Sequence, residues 1–175
     1  MNPSMPSEWH DFYVLLGTAS AALVALLFVA VSVGATLIST DRSTATRTFM
    51  SPVVFHYSSI LLLSLIVLIP SLTAPTLAFA IALLAVIGMV YTTIVMVGLA
   101  RASISDAADR FGYGLLPLAA YLGMLAAAGL TFVETPLSAD ILAGSLLLLL
   151  AVNIRNAWDL LLAFARRIAN QRPGP

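Results

Sequence analysis

Two histidines, His10 and His56, and a polar stretch near the C-terminus, Asn153, Arg155, Asn156 and Asp159, are the side chains best placed for chemistry. An imidazole changes its charge near neutral pH, so it can carry a proton, and it also ligates metals. The stretch VNIRNAWDLL, residues 152–161, follows five consecutive leucines, Leu146 to Leu150, and its polar groups break an apolar run. Arg155 and Asp159 are spaced i,i+4 and share one helical face. Arg preceding Asp is the weaker order for such a pair, worth at most a few tenths of a kcal/mol. Two readings follow for His56, Arg155, Asn156 and Asp159. They form either a polar mouth to a conduit, or separate anchoring and pairing groups where helices leave a membrane, with Trp158 at the interface.

Other chemistry is missing from the sequence. There is no cysteine and no lysine, which excludes disulfides, thiolate catalysis, Cys-ligated metals and Schiff-base chemistry. Glu8, His10 and Asp11 make a weak metal pattern that reads more simply as a solvated tail beside an anchoring Trp9. No HExxH, GxSxG or P-loop occurs, and Gly112-x-Gly114 lacks a third glycine and reads as a loop. The expectation is a non-enzyme with no catalytic residue, metal or cofactor. Net charge is zero with no polybasic run, so nucleic acid is not an expected partner.

The elements that must position these groups are transmembrane helices. Of 175 residues, 61% are hydrophobic and only 9% charged, against about 25% charged in soluble chains. Mean hydropathy is +1.02. Apolar runs separated by Ser51-Pro52, Pro70 to Pro75, Gly112 to Gly114 and Thr135-Pro136 predict five spans. Their expected bounds are 12–38, 53–69, 77–99, 115–133 and 141–162. They form one all-α helical domain over 1–170 and leave a flexible tail at 171–175. Lipid leaves no partner for unpaired backbone groups, so the spans are helices rather than open strands.

With five spans, all eight arginines fall on one side: Arg42, Arg47, Arg101, Arg110, Arg155, Arg166, Arg167 and Arg172. The other side carries Glu8, Asp11, Glu134 and Asp140 and no arginine. The positive-inside rule then predicts an N-out, C-in protein with the arginine side cytoplasmic. On this reading His56 lies about one turn in from the cytoplasmic end, and His10 lies just outside the opposite face.

Two small-residue ladders predict close helix packing: Gly17-xxx-Ala21-xxx-Ala25, extended by Ser32, and Ala119-xxx-Gly123-xxx-Ala127. The first stretch, EWHDFYVLLGTASAALVALLFVAVSVGA, resembles the opening of a family of small uncharacterised bacterial multi-pass membrane proteins. The shared residues are Phe12-Tyr13, Gly17, Ala21-Ala22-Leu23 and Leu27-Phe28-Val29-Ala30 with Ser32. NAWDLL near the C-terminus is loosely similar. This chain has Ala25 where the family often has Gly. The resemblance implies a multi-pass fold and no particular activity. The leading expectation is an oligomeric channel or transport-type protein; the rival is an accessory or scaffold subunit packed against a larger membrane complex.

Overall fold

A computed structural model describes residues 9–37, 43–101 and 111–171. Among them every regular element is helical: α1 (His10–Leu37), α2 (Ser43–Val67), α3 (Ala74–Arg101), a π-helical turn (Phe111–Leu115) leading into α4 (Leu116–Phe132), and α5 (Leu137–Gln171). The arginine-bearing connections around Arg42 and Arg110, and the tail at 172–175, lie outside the described residues.

Two short turns close one end of the bundle, here called the turn end. The α2–α3 turn leads to Thr73, whose hydroxyl accepts from the Thr76 backbone N–H at 3.5 Å, with Pro75 in the first turn of α3. The α4–α5 turn ends α4 with paired bonds, Thr135 N–H to Leu130 O at 3.0 Å and Glu134 N–H to Thr131 O at 3.1 Å. That pattern requires a left-handed residue just past the helix, which Glu134 supplies at φ 55°. The opposite end is the arginine end.

Close contacts fix the register of neighbouring helices. A Cβ built at Gly17 would lie 3.2 Å from Ser64 Cβ, which sets these two residues level, and with α1 ending at Leu37 and α2 starting at Ser43 the two helices run antiparallel. Gly88 lies against the Tyr121 ring, Gly114 against the Met96 side chain and Gly123 against the Ser145 hydroxyl. These contacts place α3, α4 and α5 in alternating directions. Helices α2, α3, α4 and α5 form a ring in sequence order, and α1 lies outside it against α2 and, to a lesser extent, α5.

The ring interior holds Ile60, Leu63, Leu77, Ile81, Met124, Leu142, Leu146 and Leu149, all fully buried. The outer surface is equally apolar, with Leu15, Leu26, Phe28, Phe79, Val90, Ile94 and Trp158 exposed. Apolar residues on both the inside and the outside mark a bundle solvated by lipid. Among the described residues, four helices carry stretches long and apolar enough to cross a membrane: His10–Ala30, Ala74–Gly98, Phe111–Phe132 and Leu137–Leu162. The apolar part of α2, Pro52–Val67, is shorter. This is an all-α membrane-type bundle.

Three boundaries differ from those expected of the sequence. Ser51-Pro52 does not start α2, which begins a few turns earlier at Ser43 and runs through Pro52. Proline's fixed φ suits a helix and costs it one backbone bond rather than ending it. His56 therefore lies well inside its helix and not one turn from the end. Gly112 to Gly114 is not a loop but the buried π turn that opens α4. Last, α5 does not stop near Leu162 but continues unbroken to Gln171.

The small-residue ladders divide. In α1 the buried line is Tyr13, Leu16, Gly17, Ser20 and Leu27, whereas Ala21, Ala25 and Ser32 are exposed. In α4, Gly123 meets α5 and Ala127 is buried, but Ala119 is exposed.

Candidate functional site

His56 is 2% exposed and occupies the middle of the ring. Its Nδ1 lies 2.8 Å from the Tyr121 hydroxyl, a hydrogen bond that crosses the ring from α2 to α4. The Ser59 hydroxyl is within hydrogen-bonding reach of the same phenol and also donates to Phe55 O at 2.9 Å. Aromatic rings pack around the imidazole. Phe55 stacks on Tyr91 of α3 with centroids 4.1 Å apart, and the Tyr91 centroid is 6.3 Å from that of His56. Gly88 makes room for the arrangement, because any side chain there would enter the Tyr121 ring. The imidazole must have a polar partner at this depth, and Tyr121 is that partner.

From this level toward the arginine end the interior turns polar. Thr92 sits one helical turn beyond Gly88, roughly 6 Å along the axis. Asn153 lies about 9 Å along. Both are fully buried, and Thr92 Oγ1 and Asn153 Oδ1 have no hydrogen-bond partner. The Asn153 amide donates to Leu149 O at 2.8 Å within its own helix.

Asn156 closes this region. Its Nδ2 donates to Gly112 O at 3.1 Å, and the Tyr113 hydroxyl donates back to Asn156 O at 3.1 Å. The reason lies in the π turn. In i→i+5 register the Gly112 carbonyl would pair with the N–H of residue 117, and residue 117 is a proline without one. The Asn156 side chain supplies the missing donor. Gly112 lets it approach, since a Cβ there would lie 3.2 Å from Asn156 Oδ1.

Arg155 and Asp159 sit on the outside of α5 beside this clip. Arg155 Nε is 3.8 Å from Asp159 Oδ2, with the two side chains 56% and 52% exposed. An exposed pair of this kind contributes about 0–1 kcal/mol. Asp159→Asn should therefore shift the melting temperature in detergent by no more than about a degree or two, equivalent to under ~0.5 kcal/mol. A large loss would mean that Asp159 holds a partner outside this chain.

Of the four residues expected at a polar mouth, the structure places Asn156 in a buried structural clip and Arg155 and Asp159 as a half-exposed pair. His56 is joined to Tyr121 and to none of those three. No group of three or more His, Asp or Glu side chains is disposed to hold a metal among the described residues. Tyr121, Tyr91, Thr92 and Gly88 carried no signal in the sequence beyond being polar or small within apolar helices; only the helix register brings them to His56. At the turn end the ring opens into a cleft of about 540 Å³ between the two turns, lined by Thr73, Thr131, Glu134 and Ser138 among others. Apolar side chains, including Ile60, Leu63 and Met124, separate it from His56. Comparison of the chain with protein-family models, curated proteins and solved structures finds no match.

Proposed function

We propose that this is a transport-type membrane protein, non-enzymatic, whose path from His56 to the arginine end runs inside the ring of α2 to α5. It spans a bacterial inner membrane five times, N-out and C-in, with the arginine end cytoplasmic. The observation that carries this reading is the buried His56–Tyr121 pair, continued toward the arginine end by the unpartnered Thr92 hydroxyl and Asn153 amide oxygen. A buried ionisable group is costly in a membrane and is kept where it handles a solute or a proton. Buried polar atoms without protein partners call for water. Asn156 and the π turn form the collar of the cytoplasmic mouth, and Arg155 and Asp159 lie on its rim. The apolar layer below the turn-end cleft, with Ile60, Leu63 and Met124 fully buried, closes the ring interior on that side.

The second reading is an accessory subunit, and the exposed Ala21, Ala25 and Ser32 of α1 favour it. A lipid-facing small-residue ladder suits a neighbouring helix, from a second copy or from a larger complex.

The absence of cysteine makes the distinction direct. Thr92→Cys, in membranes of known sidedness, should react with a small hydrophilic thiol reagent from the cytoplasmic side. Single cysteines at Ser4 and Ser105 should label from outside and inside, respectively. Protection of the cysteine at 92 with normal labelling at 4 and 105 would favour the accessory reading. Reversal of the two surface positions would overturn the orientation.

A further inference from the structure

A second set of orphaned polar groups lies on the other side of His56. Tyr13, Ser20, Tyr57 and Ser64 are each 0% exposed, and their hydroxyl oxygens have no hydrogen-bond partner. All four belong to α1 and α2. Ser64 is opposite Gly17, and Ser20 is one turn from Gly17 on the buried side of α1. Tyr57 is about two turns from Ser64 and so shares its helical face, and it directly follows His56 in the chain.

The register sets their heights. Measured from the His56 level toward the turn end, Tyr57, Ser20, Ser64 and Tyr13 lie at roughly 1, 7, 12 and 18 Å. Successive residues are thus stepped about 5–6 Å along the helix axes, and water between their hydroxyls would satisfy each of them. A phenol or hydroxyl left dry at zero exposure forfeits about 1–3 kcal/mol, and four in one file make bridging water the economical arrangement.

We propose that the α1–α2 interface holds a single file of water that carries protons between the turn end and His56, so that the transported species is the proton. This rests on the transport reading above and supplies its cargo. The file ends at Tyr57 beside His56, and the Thr92–Asn153 region continues toward the arginine end. The two polar paths lie on different sides of α2, and transfer between them goes through the imidazole. The ring interior facing the turn end is apolar and offers no parallel route.

The proton balance is simple. Neutral His56 takes a proton on one ring nitrogen and becomes imidazolium. It then loses a proton from the other nitrogen and returns to neutral as its second tautomer. The Tyr121 hydroxyl on Nδ1 relays, accepting one proton and giving up its own. One proton enters and one leaves, driven by the transmembrane proton gradient, and ring rotation resets the tautomer. The titratable groups around the imidazole are Tyr57 on α2, Tyr91 on α3 and Tyr121 on α4. At this level α5 contributes leucine, and Tyr13 of α1 stands at the far end of the file. No fixed charge of the described residues faces His56.

The test uses the full chain in liposomes with a trapped pH dye and an imposed potassium diffusion potential. Wild-type vesicles should change internal pH well above protein-free vesicles. His56→Gln keeps a hydrogen-bonding side chain for Tyr121 but cannot take up a proton, and should reduce the flux about a hundredfold, as for loss of a proton-transfer group. Ser64→Val should block the file without touching His56 and also reduce the flux. Wild-type flux equal to that of empty vesicles, or full flux in a folded His56→Gln protein, overturns the proposal. If the flux is absent while a cysteine at 92 still labels, the transport reading stands and the proton is the wrong cargo. If both fail, both readings fall.

Discussion

Asn156→Asp should be among the most damaging single-atom changes in this protein, and worse than Asn156→Ala. The alanine variant leaves the Gly112 carbonyl buried with no donor, at about 1–3 kcal/mol. A typical side-chain hydrogen bond between membrane helices is worth less, about 0.6 kcal/mol on average, because the freed groups find other partners. Here Pro117 removes the alternative donor, so the larger figure applies. The aspartate keeps the shape but turns the donor into an acceptor, aiming carboxylate oxygen at carbonyl oxygen. A buried charge facing a carbonyl in this way costs up to about 3–5 kcal/mol, offset in part by the Arg155 guanidinium, whose Nη1 also lies beside Gly112. Protonation would return an O–H donor to the site, so the deficit of the Asp variant should shrink as pH falls, while that of the Ala variant stays constant. Thermal unfolding in a mild detergent across a pH series checks both statements. Equal stability of wild type and the two variants would remove the clip from the account.

Gly88→Ala should destabilise the bundle and disturb His56 together. The added Cβ would occupy the space of the Tyr121 ring, which is fully buried and has no free direction in which to swing. Overpacking of this kind costs about 1–3 kcal/mol, and here it moves the phenol that bonds the imidazole. Gly98→Ala and Gly129→Ala provide the comparison, since a Cβ at either would meet nothing within 4 Å. In a helix these two changes should be neutral or mildly stabilising, by up to about 1 kcal/mol. The melting temperatures of the three variants should therefore separate clearly. Grouping of Gly88→Ala with the other two would mean that Tyr121 has slack, and that the His56–Tyr121 bond does not depend on close packing of α3 against α4.

Composition and helix punctuation made the architecture legible. The helix order follows from runs of apolar residues and from the Pro70–Pro75 and Thr135-Pro136 turns. What misled was local chemistry whose meaning depends on its neighbours. Ser51-Pro52 has the composition of a breaker, yet Pro52 is accommodated inside α2, and the depth of His56 moves accordingly. Gly112-x-Gly114 has the composition of a loop; it is a π turn because Pro117 and Asn156, well apart in sequence, jointly settle where the Gly112 carbonyl bonds. Asn153 and Asn156 look alike in the sequence, three residues apart on one helix. One has an unpartnered amide oxygen in the interior and the other pins α4 to α5. The ladder in α1 was visible as a pattern, but which of its residues face the chain depended on Tyr13, Ser20 and Leu27, whose heptad spacing sets the buried line. The candidate site was therefore half legible: His56 announced itself, and its partners emerged only with the helix register.

In the transport reading the imidazole of His56 sits against the Tyr121 hydroxyl and touches water inside the bundle. With only two histidines in the chain, ¹⁵N-histidine labelling yields two ring systems, and His10→Gln leaves His56 alone. Water-edited NMR of that sample in lipid bilayers should show magnetisation transfer from water to the His56 ring, and the Nδ1 resonance should shift in Tyr121→Phe. A His56 ring with no transfer from water, unchanged by Tyr121→Phe, would contradict the account.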